Sequence, residues 1–342
     1  MASRENCSLL MNFALTLLQW FKEYGRELPW RETRDPYAIW LSEIILQQTQ
    51  VKQGWDYWVR FMRHWPTVEA LASATEDEVL REWQGLGYYS RARNLHFAAR
   101  QIVALGHFPD TITEIRKLKG VGDYTAAAIG SMAFGLPAAV VDGNVYRVLS
   151  RHFGIETPIN STEGKKEFAT LAQSLLPPSN AADYNQAIMD FGAIQCTPQS
   201  PRCIVCPLQE SCVALRTGRT DTLPVKLKML KVKERHLIYI YIRSQGFTAI
   251  HQRGEGDIWQ GLWEPLSVDS LQLTVGSQLQ AVAKGVKHVL THRILTADFY
   301  LWETDERPTL PDGYIWIPEA DIDNYAIPRL VEKLFAKLFT IH

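Results

Sequence analysis

Apolar positions recur at three- and four-residue spacing through the first two thirds of the chain. That spacing predicts helices over 9–21, 37–51, 55–64, 76–83, 90–105, 124–134, 143–153, 163–176 and 184–194. Glycine and proline punctuate them, as at Gly85-Leu86-Gly87, Gly120-Val121-Gly122 and Pro177-Pro178. The texture then changes. Between 216 and 235, Arg216, Arg219, Lys226, Lys228, Lys231, Lys233 and Arg235 face only Asp221 and Glu234. Beyond this basic stretch, β-branched and aromatic runs at 237–242, 247–250 and 299–302 predict strands, and 328–340 predicts a closing helix. The expected organisation is a mainly α N-terminal domain over 1–215, a basic linker over 216–235 and a smaller α+β domain over 236–342.

Composition adds limits. The 342 residues are 46% hydrophobic and 21% charged, an ordinary globular balance. The net charge is -1, so any nucleic-acid surface must come from local charge. The sequence has no run of about 18 apolar residues, and no membrane span is expected. The apolar start is broken by Asn12, Thr16 and Gln19 and reads as a helix rather than a signal peptide. Four of the five cysteines crowd into the seventeen residues 196–212, which favours metal over disulfides and a reducing, cytoplasmic setting.

Those four, Cys196, Cys203, Cys206 and Cys212, are spaced C-x6-C-x2-C-x5-C. Four thiolates can hold zinc or an iron–sulfur cluster. Zinc patterns usually pair two short hooks, and a continuous loop with one short and two longer gaps suits wrapping a cubane. Upstream, Leu118 to Ala126 reads as a helix end, a tight turn at Gly120 and Gly122, and a new helix start whose free amides suit phosphate. Asp142 lies twenty residues after Gly122, where it can cap the helix 143–153, face a bound sugar, or do both. Glu43 has Ile39, Trp40, Leu46 and Gln47 as helical neighbours. On that largely apolar face desolvation would hold its proton near neutral pH; on an exposed edge Glu43 would be an ordinary solvated acid. Two carboxylates in unlike environments are the usual apparatus for breaking a glycosidic bond.

These strings run in order from about 20 to 216, together with Leu28-Pro29-Trp30-Arg31, Gly85 to Leu95, and Asn185-Gln186-Ala187. They resemble the helix-hairpin-helix base-excision glycosylases, the superfamily of endonuclease III, and within it the MutY adenine glycosylases. The resemblance implies one 4Fe–4S cluster per chain on the four cysteines. It implies that Glu43 protonates adenine and that Asp142 supports an oxocarbenium-like sugar, with Tyr124 and Asn144 completing the catalytic group. Tyr124 stands where bifunctional relatives carry a lysine, so base removal without strand cleavage is expected. Trp30, Arg31, Gln48, Leu86, Tyr88 and Gln186 become substrate contacts, some of them wedges beside a flipped base. Gly120, Gly122, Arg91 and Arg93 become DNA-backbone contacts, although a solvated basic face is the usual meaning of such arginines; for Tyr88 and Tyr89 ordinary packing is the alternative, which a Gly-flanked loop disfavours.

The second domain resembles the Nudix-like domain of the same family through Trp259-Gln260-Gly261-Leu262-Trp263-Glu264-Pro265. The acids of a Nudix hydrolase do not follow, and no pyrophosphatase activity is expected. Thr291 and His292, after Leu290, resemble the loop that inspects 8-oxoguanine; a polar turn before a strand is the plainer alternative. The expected partner is duplex DNA with adenine opposite 8-oxoguanine or guanine, bound by a monomer associated with the nucleoid. The rivals are an endonuclease III-like enzyme for oxidised pyrimidines and a non-catalytic iron–sulfur sensor.

Overall fold

The computed structural model describes residues 2–227, 233–268, 279–290 and 293–339. Thr291 and His292 lie outside the described residues. The chain divides into two compact units, one of residues 1–69 and 97–228, the other of residues 70–96 and 229–342.

The helices in chain order are α1 (Ala2–Tyr24), α2 (Pro36–Ile45), α3 (Val51–His64), α4 (Val68–Ser73), α5 (Glu76–Glu82), α6 (Ser90–Leu105) and α7 (Ile112–Ile115). They continue as α8 (Asp123–Phe134), α9 (Gly143–Phe153), α10 (Thr162–Leu175), α11 (Ala181–Asp190), α12 (Val213–Arg216) and α13 (Arg329–Leu338). In the helical unit α1, α9 and α11 share a core, with Phe13, Leu17 and Trp20 packed in one cluster with Val145, Val148, Leu149, Tyr184, Ile188 and Phe191. α8 is buried from Thr125 to Met132, and its small side chains let α2 pack closely on it.

Two expected helices are each interrupted. The stretch read as 37–51 ends at Ile45, and α3 begins at Val51. Asp35 caps the start of α2 by accepting from the Tyr37 amide at 3.0 Å, and Pro36 sits in its first turn. Gln48 then takes a φ of 57°, which a right-handed helix cannot continue through. The stretch read as 184–194 is α-helical only to Asp190; Phe191–Gln195 is a π turn, closed by the Cys196 amide donating to the Phe191 carbonyl at 2.7 Å.

The basic stretch is also more structured than its composition suggests. Through residue 227 it is fastened to the helical unit: the Ile159 amide donates to Val225, and Asn160 exchanges two hydrogen bonds with Leu227. Lys233 to Arg235 already belong to the first strand.

The second unit is built on a mixed sheet of β1 (Lys233–Arg243), β2 (Phe247–Gln252), β3 (Trp263–Val268), β4 (Leu279–Leu290), β5 (Arg293–Glu303) and β6 (Tyr314–Pro318). The strand order is β4-β5-β1-β3-β2-β6, with β1 and β5 parallel. β1 explains its own unalternating sequence. Leu237, Tyr239 and Tyr241 face the core shared with α13, while Ile238, Ile240 and Ile242 face a second core on the other side of the sheet. Residues 70–96 are held by this unit through side-chain amides and guanidinium: Gln84 donates to Glu332 at 2.6 Å, Gln252 to Asp77 at 2.9 Å, and Arg93 to the Gln260 carbonyl at 2.5 Å.

Candidate active site and cluster loop

A cavity of 560 Å³ opens in the helical unit where α2, α8, α9 and α11 converge, and it gathers Trp30, Arg31, Glu43, Tyr124, Asp142, Asn144 and Gln186. Glu43 is 7% exposed, on the inner face of α2. It is therefore not a solvated edge acid. Its Oε2 accepts from the Tyr124 hydroxyl at 2.9 Å. Burial pushes its carboxyl up to about 7; the Tyr124 bond and Arg31 pull it down, and Asp142 pushes it further up. The Tyr124 hydroxyl is raised well above its ordinary value by burial and by Glu43, so it stays a proton donor in the hydrogen bond.

Asp142 caps a helix and also lines the cavity. It is the N-cap of α9, its Oδ1 accepting from the Asn144 amide at 2.9 Å and the Val145 amide at 2.8 Å. Its Oδ2 accepts from Asn144 Nδ2 at 2.8 Å and the residue lines the cavity. Burial raises its pKa, against the pull of the three donors and of Arg147. Among the described residues Glu43 thus accepts one hydrogen bond and Asp142 three, so the two carboxyls stand in unlike environments.

The remaining expected residues divide. Trp30 is buried at the cavity wall, edge-on to Trp55 and Trp58. Gln48 is exposed at its left-handed turn. Gly120, at φ 79°, makes the hairpin turn between α7 and α8, and Gly122 starts α8 with no side-chain cap, leaving the first amides for an anion. Leu86, Tyr88, Arg91 and Arg93 belong to the sheet unit. Tyr88 is 46% exposed while Tyr89 is buried, so only the first is presented to solvent. Leu86 is buried. Arg91, expected at phosphate, is 8% exposed: its Nη2 donates to the Leu86 and Gly87 carbonyls at 3.4 and 3.2 Å and its guanidinium lies over Trp83, so it braces the loop from inside.

The four cysteines line one small cavity of 30 Å³ with Arg151, Gln195 and Arg202. Four thiolates here would be crowded and short of water: burial pushes the Cys206 thiol up to about 11, and the neighbouring Cys196, Cys212 and Cys203 add to the shift. A cationic group among them relieves both effects, so the donor set fits an iron–sulfur cluster. The loop is pre-shaped by protein contacts. Arg151 donates to the carbonyls of Thr197 at 2.7 Å and Pro198 at 3.0 Å, and Gln195 closes it on the Arg202 carbonyl at 2.5 Å.

Two features were not anticipated from sequence. Arg147, buried on α9, donates to the Cys196 carbonyl at 2.7 Å, the Gly192 carbonyl at 2.6 Å and Asn144 Oδ1 at 2.8 Å, joining the cluster loop to the Asp142 cap. A side chain at Gly192 would meet Asn144 at 2.6 Å, so only glycine permits this approach. Asp190, fully buried at the end of α11, binds Arg26 and Arg31. Its position on the apolar stripe of Ala187 and Phe191 was the available signal.

Comparisons with known proteins agree with this arrangement. Residues 41–178 match the HhH-GPD superfamily base excision DNA repair proteins, 196–212 the iron-sulfur binding domain of endonuclease III, and 238–337 the NUDIX domain. The adenine DNA glycosylase of Mus musculus is 34% identical over 94% of this chain and 77% of its own length. That of Homo sapiens is 46% identical over 59% of this chain and 39% of its own length. Among solved structures, a thermostable thymine-DNA glycosylase superposes with a TM-score of 0.58 and 32% identity, over 64% of this chain and 100% of that one. The cofactor is a 4Fe–4S cluster, which Cys196, Cys203, Cys206 and Cys212 would hold. The helical cavity, the cysteine loop and the Nudix-like sheet therefore have one common explanation: the chain belongs to the adenine DNA glycosylases of base excision repair.

Proposed function

We propose that the chain hydrolyses the N-glycosidic bond of adenine opposite 8-oxoguanine or guanine in duplex DNA, with Glu43 as general acid and Asp142 supporting the sugar cation. The observation that carries this reading is the unequal pair of carboxyls in one cavity, Glu43 pushed up to about 7 by burial and Asp142 held by three donors. Adenine is a poor leaving group until protonated. Glu43 gives its proton to the base, the bond from C1′ to the base breaks, and the electron pair leaves with adenine. Asp142 faces the positive charge that develops on the sugar. Water adds to C1′ and returns a proton to Glu43, leaving an abasic site. Tyr124 orients the acid, and no amine at its position can form an imine with the sugar.

Recognition of the opposite base belongs in this reading to the sheet unit. A 530 Å³ cavity there is lined by Tyr88, Arg93, Trp259, Leu290 and Arg293, and Thr291 and His292 follow Leu290 in the chain. We read the active form as a monomer on cytoplasmic, nucleoid DNA, a setting that keeps the four cysteines out of disulfides and available to the cluster.

The test is single-turnover incubation with duplexes holding adenine opposite 8-oxoguanine, guanine or thymine, followed by mild alkali. Alkali-dependent breaks at adenine on the first two, with no borohydride-trapped adduct, are expected. Cleavage at pyrimidines, or efficient trapping, contradicts the proposal.

A further inference from the structure

The catalytic cavity holds a cation close enough to Glu43 to lower its pKa, and that cation is tied elsewhere. Arg31 lines the same wall as Glu43, Tyr124 and Asp142. Its guanidinium does not turn to them. Nη1 donates to Asp190 Oδ2 at 2.8 Å and to the Arg26 carbonyl at 2.8 Å, and Nη2 donates to Asp190 Oδ1 at 2.9 Å. Asp190 is 0% exposed, and it also accepts from the Arg26 amide and Arg26 Nε, each at 2.9 Å. Burial pushes its carboxyl up, but the bonds from Arg31 and Arg26 outweigh that and hold it below the ordinary range. It is therefore an anion at the pH at which the enzyme works, anchored at the end of α11.

The planar fork of an arginine matches a carboxylate in two parallel hydrogen bonds, and here that match is made with Asp190. Glu43 and Asp142 are the other carboxyls that line this cavity with Arg31. Pairing with Glu43 would draw off the proton that the leaving base needs. We propose that Asp190 is a positioning residue that holds Arg31 away from Glu43, so that Glu43 keeps its proton for the departing adenine. The inference rests on the reading of Glu43 as general acid.

Other groups facing Glu43 do not replace this restraint. The charged side chains lining the cavity, among the described residues, are Arg26, Arg31, Glu43, Asp142 and Arg147, with Tyr124 the further ionisable one. Arg26 is bound to Asp190 itself, and Arg147 is committed to Cys196, Gly192 and Asn144. Tyr124 donates to Glu43 and pulls its pKa down, and Asp142 pushes it up. Arg31 is thus the cation of this cavity that acts on Glu43, and it does so from its place on Asp190.

The experiment is the pH profile of single-turnover adenine release by the cluster-loaded full chain, from about pH 5 to about pH 9, on a duplex with adenine opposite 8-oxoguanine. Wild type should lose rate above about pH 7. Asp190→Asn should move that alkaline limb down by about one to three pH units, the effect of a nearby cation on a carboxyl, while keeping rate at the acid end. Asp190→Glu, which keeps the acceptor charge, should leave the limb in place. Asp190→Asn with Arg31→Met should return it towards the wild-type position, whatever its maximal rate. Arg31→Lys serves if Asp190→Asn does not fold: a point charge cannot span both Asp190 oxygens, so the limb should move down there too, by less. A uniform loss of rate with an unmoved limb, in Asp190→Asn or in Arg31→Lys, overturns the proposal, and so does a double variant whose limb stays low. A wild type without an alkaline limb, together with an active Glu43→Gln, would instead remove the general-acid reading and this inference with it.

Discussion

Each unit of the molecule buries a glutamate, and the two are used in opposite ways. Glu43 in the helical unit is 7% exposed, and Glu264 in the sheet unit 1%. Glu264 accepts from Arg253 at 2.5 Å, Tyr239 at 3.0 Å and Ser267 at 3.2 Å, and Arg253 also holds Asp257. Its charge is fully answered by the fold. Among the described residues Glu43 accepts from the Tyr124 hydroxyl alone, and it opens on a 560 Å³ cavity. Burial by itself does not mark an active residue. Burial with an unmet demand for charge, beside space for a substrate, is what makes Glu43 the candidate.

The contrast can be broken by neutralising each acid in turn. Glu43→Gln should fold, bind mispaired DNA and lose about 10²–10⁴-fold in single-turnover adenine release. Retention of near-normal rates would show that the proton comes from elsewhere. Glu264→Gln should act on stability instead. Removing one partner of a buried pair costs about 3–5 kcal/mol, so thermal or denaturant unfolding should shift strongly. The folded fraction should keep its maximal rate on adenine opposite guanine; a catalytic loss with unchanged stability would erase the distinction.

A smaller effect has the opposite sign. Folding raises the Glu43 carboxyl from an ordinary 4.5 to about 7, so the native state favours the protonated acid. Its contribution to stability is fully present below about 4.5 and is lost as pH rises to about 7. Glutamine escapes that loss, so Glu43→Gln should be the more stable protein above pH 7 by up to about 2–3 kcal/mol. The advantage should fade towards about pH 4.5, and a constant difference across that window would count against a raised carboxyl. The smallest effect is expected from Tyr124→Phe. It removes the hydroxyl that donates to Glu43 and should move the alkaline limb of the rate up, by about one pH unit or less. A downward move would mean that Tyr124 does not act on the acid through this bond.

Much of the site was legible because its chemistry is local in sequence. The cysteine spacing, the turn at Gly120 and the cap at Asp142 each depend on residues a few positions apart, and the structure places them as expected. Helix periodicity found the longer helices but neither the short α4 and α12 nor the interruptions. The break after Ile45 turns on one left-handed residue, Gln48, and the π turn after Asp190 on contacts of Gly192 with Asn144 on α9. In the sheet, β1 was visible as a continuous apolar run, whereas β4 was not. Among the described residues β4 is an edge strand, paired with β5 and irregular around Ala283, so its apolar positions do not alternate cleanly. Asp190 and Arg147 were missed for a different reason. Their partners lie 159 and 49 residues away, at Arg31 and Cys196, and pairing across such distances leaves no periodic trace.

The central claim is that Glu43 carries a proton near neutral pH because the fold removes it from water. An infrared difference titration of wild type against Glu43→Gln reads this without any turnover. A protonated-carboxyl band that disappears with a midpoint near 7 is the expected result. A carboxylate already ionised by about pH 5, as for an ordinary glutamate, would contradict the account.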